Sequence, residues 1–168
     1  MDTGAEAITL VPLSMANLHR LAASATADLG DMQTPAGALP PANVAARALA
    51  QLELGTPIAW CVPLLIVSPA RRTVLGGCGF KTAPTNGTVE ISYGVARSER
   101  GRGVATAAVR SLLQMAASSG LVHEVVAHIL PGNMASSSVV ARLGFRRGPS
   151  LVDADGETVI RWSWRVES

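Results

Sequence analysis

The sequence predicts an α+β domain, and the order of its apolar segments carries this prediction. Three runs with strand character follow one another without a helix between them: Trp60–Val67, Thr73–Lys81 and Thr88–Val95. Two later segments have helical spacing, Gly103–Ser119 and Ala135–Leu143. A doubly wound parallel fold would alternate strands and helices throughout, and this order does not.

The N-terminal third is predicted to contain one strand and two helices. Residues Ile8–Leu13 form the strand, and Ser14 is a suitable N-cap for a helix that runs through Ala22. A loop rich in proline and glycine follows. A second helix is predicted over Ala42–Leu54, because its apolar residues fall on one face, and Gly55 ends it.

Turn signals predict two hairpins and the ends of the later helices. The tetrapeptide TNGT, Thr85–Thr88, separates two strands, and Asn-Gly tolerates the positive φ of a tight hairpin. A strand is predicted over Glu124–Leu130. Gly120 and Gly144 are suited to end the helices that precede them. Asp155-Gly156 marks a second hairpin near the C-terminus.

Size and charge limit the function classes. The 168 residues suffice for one domain, so we expect a single domain over 1–168. The net charge of +2 is too small for a nucleic-acid-binding surface, and no nucleic-acid partner is expected. The pairs Arg71-Arg72 and Arg146-Arg147 are interpreted as solvated turn residues.

Cysteine usage and hydropathy predict a cytoplasmic protein without a metal. Cys61 and Cys78 lack metal-ligand spacing and are expected to be buried thiols. No apolar run reaches the roughly 20 residues of a membrane span, so no membrane partner is expected. Asp2 and Glu6 stand where a signal peptide would carry basic residues.

The segment Arg97–Gly103 contains three arginines and two glycines directly before a predicted helix. The first amides of a helix have no internal partners, and the helix dipole makes this end positive. Glycine lets a phosphate approach the backbone, and Arg100 and Arg102 can add charge-assisted hydrogen bonds. Neither the Walker nor the dinucleotide fingerprint is present. The segment is expected to bind phosphates; a solvated glycine turn is the alternative.

Three motifs in order identify a family resemblance. "RGRGVA", Arg100–Ala105, matches the Q/R-x-x-G-x-G/A signature of the GCN5-related N-acetyltransferases (GNAT family). "NMASSSVVARLGF", Asn133–Phe145, resembles the N-x-x-S…L-G-F segment of the same family, and "VEISYGV", Val89–Val95, resembles its fourth strand. Both are closest in motif to the branch of ribosomal-protein N-terminal acetyltransferases. The resemblance covers roughly Leu75–Phe145, and the N-terminal third has no motif.

The resemblance implies the GNAT fold and acetyl-CoA as cofactor. This fold is a mixed, mostly antiparallel twisted sheet of six to seven strands, flanked by about four helices and splayed between strands 4 and 5. The pyrophosphate is expected on the loop before the third helix, and the pantetheine arm between the splayed strands. The cofactor-binding residues implied are Tyr93, Gly94, Val95, Arg100, Gly101, Arg102, Gly103, Val104, Ala105, Thr106 and Asn133.

The resemblance implies acetyl transfer by direct attack of a primary amine on the thioester. Such a reaction needs a base for the amine and benefits from an acid for the thiolate. Glu90 is the candidate base, with a solubilising role at a strand edge as the alternative. Many members of the family use a tyrosine as the general acid, and Val140 stands at that position here. Ser136 is therefore the candidate acid, with an ordinary role at the start of a helix as the alternative. His128 is interpreted as a core histidine, with a role in the cleft kept open.

The sequence leaves the acceptor and the partners open. The acceptor is expected to be a protein N-terminus or a small amine. Acids in the segments Asp28–Pro41 and Val152–Glu157 are mildly consistent with a cationic amine. A homodimer is left open. The alternative function is a catalytically inactive acyl-CoA-binding sensor of the same fold, since the family's tyrosine is missing.

Overall fold

A computed structural model of the protein describes residues 6–167, which fold into seven strands and four α-helices. The strands are β1 (Thr9–Pro12), β2 (Leu64–Ser68), β3 (Thr73–Phe80), β4 (Thr88–Val95), β5 (Glu124–Ile129), β6 (Arg146–Val152) and β7 (Thr158–Arg165). The helices are α1 (Met15–Ala22), α2 (Ala42–Glu53), α3 (Val104–Ser119) and α4 (Met134–Arg142). The predicted α+β class and the implied numbers of strands and helices are confirmed.

The strands form one sheet in the order β1-β2-β3-β4-β5-β7-β6. Neighbours are antiparallel except β4 and β5, which are parallel. The β3–β4 hairpin turns at Asn86 and Gly87, whose φ values of 52° and 77° are those that the sequence pattern predicted. The sheet is therefore mixed and mostly antiparallel, as the resemblance implied.

Helices cover both faces of the sheet, and successive residues of β2 show how. Leu65 is buried in a core that it shares with α1 and α2, whereas Ile66 points to the opposite face and is buried against α3. Ser14 caps α1, because its Oγ accepts a hydrogen bond from the amide of Asn17 at 3.1 Å. We call the two faces the α2 face and the α3 face.

The sheet splits between β4 and β5. Their parallel pairing covers only Thr88–Glu90 on β4, and the last pair is Glu90 with Val126. Beyond it β4 continues to Val95, still paired with β3 on its other edge. The splay that the resemblance implied is present, and it leaves one edge of Ile91–Val95 without a strand partner.

Two details of the sequence predictions are wrong. Trp60 belongs to a short 3₁₀ turn, Ile58–Trp60, and strand β2 begins only at Leu64 after Pro63. Arg146 and Arg147 are the first residues of β6 and do not lie in a turn. Apolar runs do not distinguish a packed turn from a strand.

Within the described part of the chain, no α-helix is both long and apolar enough to cross a membrane.

Candidate active site

The segment between β4 and α3 forms a glycine loop at the N-terminus of α3. Gly101 and Gly103 have φ values of 78° and 77°, in the left-handed region that glycine adopts at little cost. A Cβ at either position would meet no atom within 4 Å, so the loop borders open space. Gly103 is the N-cap of α3, and no side chain of residues 6–167 caps this end.

Six consecutive amides of this loop, in residues 101–106, donate to no protein acceptor among residues 6–167. The first amides of α3 lack partners because each would need a carbonyl four residues earlier in the helix. The first turn contains no acidic residue that would neutralise the positive end of the helix dipole. These N–H groups are therefore free to bind an anion.

A cavity of about 760 Å³ opens in front of this loop on the α3 face, and we call it the loop cavity. It is lined by every residue that the resemblance assigned to the cofactor except Arg102. The side chain of Arg102 instead pairs with Glu99, and its Nη1 lies 3.5 Å from Oε1. Arg100 lines the cavity, and its Nε donates to the carbonyl of Val95 at 3.2 Å.

A second cavity, of about 280 Å³, lies on the α2 face, and we call it the α2 cavity. Its floor is formed by neighbouring positions of β3 and β4, where Gly77 pairs with Gly94 and Gly79 with Ser92. Pro40, in the loop before α2, packs over Gly77. The cavity exists because three glycines leave this part of the sheet without side chains.

The two cavities meet at the split in the sheet. Both are lined by Tyr93, Gly94 and Val95 on the free edge of β4, and by Arg100. A Cβ at Gly94 would meet no atom within 4 Å. Two molecules that enter from opposite faces can therefore come into contact at this edge.

Three titratable side chains form a row across β3, β4 and β5 on the α2 face. Oε2 of Glu90 lies 2.7 Å from Nζ of Lys81 and 3.0 Å from Nδ1 of His128. Lys81 lines the α2 cavity, and Lys81 and His128 both line a smaller opening that contains Ser92 and Ser136. The interpretation of His128 as a core residue is wrong, because its side chain is 23 % exposed at this opening.

Polar groups from α4 face the row from the other side of the split. Asn133 is the N-cap of α4, and its Oδ1 accepts a hydrogen bond from the amide of Ser136 at 3.1 Å. The hydroxyl of Tyr93 donates to the carbonyl of Ser136 at 2.9 Å, and burial raises the pKa of this phenol to about 12. Val140, which stands at the family's tyrosine position, is fully buried.

An ionic network of Glu6, Arg71 and Glu99 lies next to the start of the glycine loop. Arg71 is an exposed turn residue, as the sequence predicted, but its guanidinium also bridges Glu6 at 2.8 Å and Glu99 at 2.6 Å, which the sequence did not predict. Ser68 also donates to Glu6. The hydrogen bond from Arg71, with a smaller effect of Ser68, lowers the pKa of Glu6 to about 2, and Arg71 also lowers the pKa of the buried Glu99.

The acids proposed on the acceptor side lie elsewhere. Asp28 is 3.6 Å from Arg20, and Asp31 pairs with Arg72; both carboxylates are more than 70 % exposed. None of the acids in the segments 28–41 and 152–157 lines a cavity described above. These acids therefore do not favour a cationic acceptor.

A comparison with protein families identifies the family of this domain. The model of the acetyltransferase (GNAT) domain matches residues 8–146. The chain belongs to the GNAT family. The match includes the glycine loop and both strands of the split, and it extends into the N-terminal third where the sequence carries no motif.

Two acetyltransferases of Pseudomonas species are similar in sequence to this chain. The L-methionine sulfoximine/L-methionine sulfone acetyltransferases of Pseudomonas paraeruginosa and Pseudomonas aeruginosa are 34 % identical over 104 residues, which is 60 % of this chain. The alignment covers 59 % of the length of these relatives.

Two solved structures share the fold. RimJ of Mycobacterium smegmatis in complex with CoA-disulfide has a TM-score of 0.67 at 20 % identity, over 96 % of this chain and 83 % of that one. YncA of Salmonella typhimurium with its cofactor acetyl-CoA has a TM-score of 0.62 at 20 % identity, over 96 % and 95 %.

Sequence reasoning missed two residues of the site, Lys81 and Arg47. Lys81 follows β3 and lies opposite Glu90, and the hairpin register contained this information once the turn at Asn86-Gly87 was fixed. Arg47 lies on the exposed side of α2 and lines the α2 cavity. Nothing local marks Arg47, because the cavity arises from glycines on other strands.

Proposed function

We propose that the protein is an acetyl-CoA-dependent N-acetyltransferase that acetylates a primary amine. The observation that carries this proposal is the meeting of two cavities from opposite faces at the free edge of β4. One cavity offers unpaired amides for phosphates, and the other borders the Lys81–Glu90–His128 row. Two substrates that bind on opposite faces would meet at Tyr93–Val95.

The loop cavity fits a coenzyme A molecule. Amides of residues 101–106 and the guanidinium of Arg100 would hold the pyrophosphate. The unpaired edge of Tyr93–Val95 would pair with amide groups of the pantetheine arm, and the Asn133 side-chain amide would donate to it. Acetyl-CoA, when bound, supplies the acetyl group as a thioester.

Proton transfer is assigned to groups on the two sides of the split. Glu90 and His128 receive the proton of the amine, directly or through a water molecule, because they lie on the α2 face next to the acceptor cavity. The Ser136 hydroxyl lines the loop cavity and supplies a proton to the departing thiolate. The products are an N-acetylated amine and free coenzyme A.

The acceptor is a primary amine, either on a small molecule or at a protein N-terminus. The 280 Å³ of the α2 cavity lie just below the range of about 300–1,000 Å³ for small-molecule sites. The Pseudomonas relatives are named for amino-acid derivatives. Both facts favour a small acceptor.

The proposal is tested by thioester turnover. The protein is incubated with acetyl-CoA and a panel of primary amines, free thiol is followed colorimetrically, and products are identified by mass spectrometry. We expect amine-dependent thiol release with one acetylated product for each molecule of coenzyme A. Tight acetyl-CoA binding in calorimetry without turnover on any amine would instead indicate an acyl-CoA sensor.

A further inference from the structure

We propose that the acceptor amine carries a carboxylate, which Arg47 and Lys81 bind in the α2 cavity. The inference deepens the proposed function and rests on it. It identifies the substrate class as small amino acids, as opposed to diamines, polyamines or other cationic amines. Amino acids with a free carboxylate, and not their amides, are the expected substrates.

The charges around the α2 cavity carry this inference. Three cationic side chains line it, Arg47, Lys81 and Arg100, and no carboxylate is among the residues that line it. Arg47 makes no ion pair with any residue from 6 to 167. A cleft lined by one sign of charge attracts ligands of the opposite sign and repels ligands of the same sign.

The three cations have different partners, which separates their roles. Arg100 also lines the loop cavity and belongs to the phosphate site. Lys81 forms an ion pair with Glu90, in which Nζ lies 2.7 Å from Oε2. Arg47 projects from the middle of α2 and has no ion-pair partner among residues 6–167, and its planar guanidinium can bind a carboxylate through two parallel hydrogen bonds.

The arrangement also orients the acceptor. Lys81 connects the cationic lining to the Glu90–His128 pair, so an amino acid whose carboxylate lies against Arg47 and Lys81 has its amine within the same cavity. The glycine floor leaves room for its side chain. A diamine would place a second ammonium group among these cations, and a protein N-terminus would bring no carboxylate to this position.

Matched acceptor pairs test the substrate class. Each amino acid is compared with its carboxamide, which has the same side chain and lacks the negative charge, and with a diamine of similar length. The amine of the carboxamide is less basic, so more of it is unprotonated at neutral pH. We expect kcat/KM to favour the acid in spite of this. Equal or better turnover of carboxamides or diamines would overturn the inference.

Substitution of Arg47 tests the site. We expect Arg47→Gln to lower kcat/KM for amino acids by about tenfold or more, the effect of losing a hydrogen bond to a charged group. Activity on carboxamides should fall less than activity on the acids, and affinity for acetyl-CoA should not change. Arg110→Gln is the control, because Arg110 is exposed on α3 and lines neither cavity.

Three results would show whether the inference alone fails or the proposed function fails with it. Loss of acetyl-CoA affinity in Arg47→Gln would mean that Arg47 belongs to the cofactor site, which overturns the inference. Turnover of amines regardless of charge, unchanged in Arg47→Gln, would also overturn it while leaving the proposed function intact. Absence of turnover with every acceptor would overturn both.

Discussion

Nδ1 of His128 lies 3.0 Å from Oε2 of Glu90, across the parallel strands β5 and β4. Glu90 is in the last residue pair of the β4–β5 ladder, and His128 stands two residues further along β5. The contact therefore spans the point where the sheet begins to split. When Nδ1–H donates to the carboxylate, Nε2 of the neutral imidazole is the atom that can accept a proton.

Glu90→Gln and His128→Gln should each lower kcat by about a hundredfold or more, the usual contribution of a positioned acid or base. The dissociation constant of acetyl-CoA should not change, because neither residue lines the loop cavity. Steady-state kinetics and calorimetry measure the two quantities. Glu124→Gln is the control, since Glu124 lies on β5 but pairs with Arg161 at 2.8 Å. Normal kcat in both variants would remove the pair from the mechanism.

Thr106→Glu should weaken coenzyme A binding without destabilising the protein. A carboxylate in the first turn of α3 stabilises the helix by about 0.3–1 kcal/mol through its dipole, yet it repels the pyrophosphate. Thr106→Gln has nearly the same shape without the charge. We expect an affinity loss of at least tenfold for Glu over Gln in calorimetry, with an equal or higher Tm. Equal affinities would place the phosphates elsewhere.

Gly94→Leu should block the junction of the two cavities. Gly94 does not have a positive φ, and its Cβ position is open, so larger residues fit the backbone. Replacing a strand glycine also removes an entropic cost of roughly 0.5–1 kcal/mol. We expect activity to fall from glycine to alanine to leucine while Tm stays level or rises. Full activity in Gly94→Leu would show that the substrates do not meet here.

Arg71→Gln should reduce stability in a pH-dependent manner. The pKa of Glu6 is lowered to about 2 from 4.5, and that of Glu99 is also lowered, so their pairing with Arg71 stabilises the fold above about pH 4.5. The stabilisation is lost as the pH falls from 4.5 towards 2. We expect a lower Tm at pH 7 and a smaller difference from the wild type near pH 3.

The neighbouring Arg72→Gln provides the control for this network. It removes the same charge from an exposed pair with Asp31, and exposed pairs contribute little to stability. Its Tm should be close to that of the wild type at every pH. A parallel pH dependence in Arg71→Gln and the wild type would mean that the network does not stabilise the fold.

Local patterns predicted the parts of the site that depend on backbone chemistry. The glycines and the following helical spacing predicted the loop with free amides before α3, because both the left-handed φ and the free amides are properties of adjacent residues. The Asn-Gly turn located the β3–β4 hairpin for the same reason. The resemblance then supplied the split in the sheet, which no pattern in a single strand can encode.

The contacts that the sequence did not predict join distant residues. The Arg71 network connects positions 6, 71 and 99, and the Glu90 row connects positions 81, 90 and 128. Strand alternation gives the face of each residue, but not which face opens into a cavity. Arg47 lines a cavity because the strands that form its floor carry glycines, and His128 is partly exposed because the sheet splits beside it. The glycine floor and the split are both properties of the assembled sheet.

A crystal structure with coenzyme A would show where the cofactor binds. We expect pyrophosphate oxygens within hydrogen-bond distance, about 2.7–3.2 Å, of the amides of residues 101–106. The pantetheine arm should lie along the free edge of Tyr93–Val95. Coenzyme A bound away from this loop, with the β4–β5 split filled by protein side chains, would rule out the cofactor site proposed here.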